Sequence, residues 1–156
     1  MPARTDSPVG AFIPENSFAE LADAYVCGSA TIQSIFEPLA WELCLGRLAS
    51  KAAIVSVRDI AKSSSREFER SAATAIDLML RNNEGLWGEV AAEMPRRLSE
   101  LRVGAPGAPL VLALVAGGSA SFQTGSYANA FAYLHEAVGD ARMHSLHLML
   151  SCVRSS

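Results

Sequence analysis

The chain has 156 residues, 50% of them hydrophobic and 19% charged, with a net charge of −3 and a pI near 5.6. That length suffices for one domain burying roughly 70% of its unfolded surface. The acidic balance excludes a nonspecific nucleic-acid binder, which needs many Lys and Arg to neutralise phosphates.

Residues 1–16 carry Pro2, Pro8 and Pro14 and no apolar run of signal-peptide length, so they are expected to be disordered or extended, ahead of a helical domain at 17–152. Ser17 and Glu20 have capping-box spacing, which starts a helix near Phe18. Phe18, Leu21, Tyr25, Ile32, Phe36, Leu39 and Leu43 then recur at helical steps, past Gly28 to about Lys51, with a break or kink expected at Glu37-Pro38. A second stripe, Ile54, Val57, Ala61, Phe68, Ala72, Ala75 and Met79, predicts one helix over 54–81, with Asn82-Asn83 ending it and capping the next. Leu86, Trp87, Val90, Met94, Leu98 and Leu101 predict a third helix over 84–101, kinked at Pro95.

Residues 102–109, RVGAPGAP, read as a loop because two glycines and two prolines do not propagate a helix. Residues 110–116 are far too short to span a bilayer and predict a short buried helix, ended by Gly117-Gly118. A last helix runs from Phe122 or Thr124 to Cys152, with Tyr127, Phe131, Leu134, Val138 and Ala141 on one face. The expected fold is all-α, a single-domain antiparallel bundle of four or five helices. Cys27, Cys44 and Cys152 lack CxxC or zinc-like spacing and read as reduced, mostly buried small apolar residues.

Two polar constellations stand out. On the last helix, Glu136, Asp140, His144 and His147 share one face, with His135 nearby, and imidazole with carboxylate suits zinc or iron. At about 100° per residue, however, this face points away from the aromatic stripe, and no histidine follows a glutamate in a Glu-x-x-His step, so the expectation is a solvated or partner-facing surface with no metal or other cofactor. The second constellation is a basic ridge at steps of four, Arg58, Lys62, Arg66 and Arg70, partly offset by Asp59, Glu67 and Glu69. It reads as a solvated face or as the site of an anionic partner, for which Glu136 and Asp140 of another copy are the candidates; Arg96, Arg97 and Arg102 form a weaker basic patch.

Catalytic motifs do not converge. The Gly117-Gly118-Ser119-Ala120-Ser121 segment lacks a G-x-S-x-G elbow, and Gly104 and Gly107 sit in a proline-bearing loop instead of a phosphate-binding turn.

Phe36-Glu37, Glu42-Leu43-x-Leu45-x-Arg47 and Val57-Arg58-x-x-Ala61 together resemble the first helical hairpin of a bacterial ferritin-like domain family of unknown function. The resemblance covers residues 36–68 and implies a helical bundle. Where that family continues with Asp-His, this chain has Lys62-Ser63-Ser64-Ser65, and where members are commonly exported, no signal peptide is evident here. The expected function is a non-enzymatic, cytoplasmic, self-associating interaction or assembly protein. The alternatives are a degenerate ferritin-like metal-binding protein or enzyme using the C-terminal helix, and a secretion-linked effector or chaperone, suggested by the proline-bearing start.

Overall fold

The computed structural model describes residues 15–46, 50–104 and 107–143. Among these, seven α-helices follow in order and no strand occurs: α1 Glu15–Val26, α2 Ile32–Leu45, α3 Lys51–Lys62, α4 Glu67–Asn83, α5 Trp87–Gly104, α6 Ala108–Gln123 and α7 Tyr127–Met143. The all-α class is as expected. The count of four or five is too low, because two of the expected long helices are each divided by a turn.

The first division falls at Gly28, not at Glu37-Pro38. Gly28 adopts φ +84, a left-handed conformation that ends α1, and the Thr31 hydroxyl then accepts from the Ser34 amide at 3.2 Å to start α2. Pro38 lies inside α2, which continues to Leu45. Because α1 begins at Glu15, Ser17 sits within its first turn and is not its cap.

The second division splits the expected 54–81 helix at Ser63–Arg66. Serine hydroxyls compete with helical hydrogen bonding by bonding to nearby backbone. Here the Ser63 hydroxyl donates to the Asp59 carbonyl at 3.4 Å, and the Arg66 amide donates to the Ser64 hydroxyl at 3.0 Å. The same apolar period continues on both sides of the turn, which is why periodicity alone joins them. At the far end of α4, Gly85 (φ +84) supplies the reversal. Asn82 and Asn83 reach elsewhere than the next helix start: Asn82 Nδ2 donates to the Ser119 hydroxyl at 3.2 Å, and Asn83 Nδ2 to the Leu43 carbonyl at 2.9 Å.

The centre of the molecule is α6. Residues 109–118 are all buried, and α6 packs against α2, α4, α5 and α7. A helix apolar on every side has no stripe to read, so its surroundings are visible only in three dimensions. Gly117-Gly118 does not end this helix; the pair lets neighbours approach its axis. A Cβ on Gly117 would lie 2.4 Å from Met94 Cε, and one on Gly118 would lie 2.7 Å from Leu134 Cδ2. The expected 102–109 loop is correspondingly short, since α5 extends to Gly104 and α6 begins at Ala108 with Pro109 in its first turn.

Helix α5 buries Val90, Met94, Leu98 and Leu101 as its spacing predicts, and it runs through Pro95. The face expected of α7 is buried in part, at Leu134, Val138 and Ala141. Ala130, Ala137 and Ala141 are buried, whereas Tyr127 and Phe131 are 55% and 74% exposed. Gly118 makes room on this seam for Leu134, whose Cδ2 a Cβ there would meet at 2.7 Å, and Leu134 and Val138 pack partly buried against the core. Cys27 is exposed and Cys44 half-buried, which corrects the expectation of burial for Cys27; Cys152 lies outside the described residues. No described helix is long and apolar enough to cross a membrane.

Candidate functional site: a cationic cleft between three helices

The serine turn redistributes the basic ridge. With α3 and α4 separated by Ser63–Arg66, the four side chains no longer follow one helical face. Three of them, Arg58 and Lys62 from α3 and Arg70 from α4, instead line one cleft together with Ala73, Thr74 and Asp77 of α4 and Arg97 of α5. Its volume is about 220 Å³. Arg66 is placed elsewhere: it stands at the N-terminus of α4, its side chain 73% exposed and 3.8 Å from Glu69. Glu69 in turn accepts from the buried Tyr25 hydroxyl at 2.7 Å, and burial together with that bond pushes the phenol well above its ordinary range.

Within the cleft the four cations are of two kinds. Arg58 is held by carboxylates, 3.0 Å from Asp59 and 3.2 Å from Asp77, and Arg97 lies 3.3 Å from both Glu93 and Glu100. Lys62 and Arg70 pair with no carboxylate among the described residues; Arg70 Nη1 donates only to the Ser64 carbonyl, at 3.2 Å. Arg70 and Thr74 also border a neighbouring cleft that contains Glu67 and Glu100, which gives the site an acidic outer edge on one side.

The floor is fixed by a charge network. Asp77 lies 3.1 Å from Arg81 Nε as well as 3.2 Å from Arg58, and Arg81 forms a two-pronged pair with Glu93 at 2.5 and 3.1 Å. Such bidentate, charge-assisted bonds are the stronger kind. The Arg81 hydrogen bond holds the Glu93 carboxyl at about 2, below its ordinary 4.5, and Arg97 adds to the effect. Because the folded-state value is depressed, the stabilisation is complete above about pH 4.5 and is lost as pH falls towards 2. Urea unfolding as a function of pH should therefore show a loss of stability over that window that is absent in Glu93→Gln, which itself should cost about 2 kcal/mol at pH 7. A parallel pH dependence in the two proteins would contradict the assignment.

Asp77 and Thr74 join the site without having been expected there, although the signal is present: Arg70, Thr74, Asp77 and Arg81 are spaced four, three and four apart, which puts them on one face of α4. Arg97 appears there only as part of a separate patch, since nothing in the sequence brings α5 against α4.

Glu136 and Asp140 lie on α7, away from this cleft. Arg102 of the same chain binds Glu136 through two hydrogen bonds, at 2.6 and 3.1 Å. This pairing raises the Arg102 pKa, with Asp140 contributing a smaller attraction. His135 is exposed, and His144 and His147 lie outside the described residues. Among the described residues no three His, Cys, Asp or Glu side chains are grouped as metal ligands. No family model matches the chain, and no curated protein or solved structure shows a significant match to it.

Proposed function

We propose that this protein is a non-enzymatic helical binding protein whose α3–α4–α5 cleft takes an anionic partner. One observation carries the reading: Lys62 and Arg70, from two different helices, line the same cleft with no carboxylate of their own, beside Arg58 and Arg97. Cations gathered at a concave surface raise the local concentration of anions, here on a protein whose net charge is −3. The acidic face of a second copy is a less suitable anion than the sequence suggests, because Glu136 is engaged by Arg102 within its own chain and an incoming ridge would compete with that pair.

The test uses poly-L-glutamate as a generic anion, followed by isothermal titration calorimetry at low ionic strength. Binding is expected, weakened by salt because exposed charges are screened over about 8 to 10 Å. It should be lost in Lys62→Glu with Arg70→Glu and retained in Arg66→Glu, whose side chain lies outside the cleft. Retention in the double variant, or equal loss in Arg66→Glu, would refute the reading.

A further inference from the structure

The anionic partner can be specified further, on the basis of the cleft reading above. A volume of about 220 Å³ lies below the range of about 300 to 1,000 Å³ typical of pockets for drug-sized ligands, so the enclosed part of the cleft is matched to a small anion or to one anionic group with a short neighbouring segment. Its lining is also mixed. Lys62 and Arg70 offer unpaired donors, whereas Asp77, a carboxylate that is acceptor-only when ionised, and the Thr74 hydroxyl offer acceptors between them and the Arg58 side. Thr74 already donates its proton to the Arg70 carbonyl at 3.2 Å, which leaves its oxygen to accept. Asp77 is fixed by Arg58 and Arg81 and keeps further lone pairs, being 38% exposed.

A bare tetrahedral anion would use the donors and meet repulsion from Asp77. A ligand that carries both a phosphate and a neighbouring hydroxyl satisfies both sets. We infer that the cleft is a site for a small hydroxylated phosphomonoester, with Lys62 and Arg70 on the phosphate, Arg97 supporting them, and Asp77 and Thr74 accepting from the ligand's hydroxyl groups.

Glycerol 3-phosphate is the probe, compared by isothermal titration calorimetry with inorganic phosphate, glycerol and a phosphoserine peptide. It should bind at least about tenfold more tightly than inorganic phosphate, with glycerol alone undetectable. Lys62→Gln and Arg70→Gln should each weaken glycerol 3-phosphate and inorganic phosphate alike, by about tenfold. Thr74→Val should reduce the preference for glycerol 3-phosphate over inorganic phosphate while leaving phosphate binding intact. Asp77→Asn should also reduce that preference, here by relieving the repulsion and strengthening inorganic phosphate binding, and because Asp77 also anchors two arginines, the Thr74 variant keeps the test valid if the Asp77 variant fails to fold. Equal affinity for glycerol 3-phosphate and inorganic phosphate would overturn the inference, as would tighter binding of the phosphoserine peptide. Binding of poly-L-glutamate with neither small phosphate would overturn it while leaving the cleft reading in place, and binding of none of these anions would remove both.

Discussion

Phe36→Ala should destabilise the protein by about 3 to 5 kcal/mol, measured by urea unfolding with an unchanged m-value. Phe36 is 1% exposed in α2 and meets Phe68 of α4 edge to face, the ring centroids 6.4 Å apart. Truncation removes apolar surface from the core and leaves a cavity that the surrounding helices cannot close without moving α2 against α4. The other half of the pair should cost less. Phe68 is only partly buried, so its truncation exposes the site to water instead of leaving an enclosed void. A Phe68→Ala cost equal to or above that of Phe36→Ala would mean the two helices pack differently from the arrangement described.

Gly117→Ala should also destabilise, by about 1 to 3 kcal/mol, although alanine is the better helix former by about 1 kcal/mol. The opposing term is steric. An alanine methyl would fall 2.4, 2.7 and 2.9 Å from Cε, Sδ and Cγ of Met94, so the whole Met94 side chain has to shift, and at 0% exposure it has no free space to enter. The mechanism predicts its own reversal. In a Met94→Ala background, where the clash is absent, Gly117→Ala should become neutral or stabilising, giving a coupling between the two positions larger than about 1 kcal/mol. Additive effects would show that α5 and α6 do not approach at this point.

These two cases show where the chain was legible. Elements whose apolar residues occupy one face, such as α5 with Val90, Met94, Leu98 and Leu101, could be placed and phased from spacing alone. Helix α6 could be placed but neither phased nor given its length, because its burial on every side erases the period and its glycine pair reads locally as a terminator when it is a packing surface. Gly28 and the Ser63–Ser65 turn break helices without interrupting the apolar rhythm, since the chain resumes with nearly the same phase. On α7 the exposed Tyr127 and Phe131 belong to the same apolar row as the packed Leu134, Val138 and Ala141, and spacing alone does not show where that row leaves the core. The site was half legible for a related reason. Arg58, Lys62 and Arg70 were visible as a basic series, but their convergence depends on the turn that splits the series, and Arg97 arrives from a helix whose position no local pattern encodes.

Nuclear magnetic resonance mapping of bound glycerol 3-phosphate reports where an anion sits on the protein as well as whether it binds. Backbone amide shifts during titration should change at Lys62, Arg70, Thr74, Asp77 and Arg97, on three helices at once, and remain small at Arg66, Arg96 and Arg102, which carry the same charge outside the cleft. Changes of equal size at those three arginines, or none at the cleft residues at saturating ligand, would contradict the assignment of the cleft as the binding site.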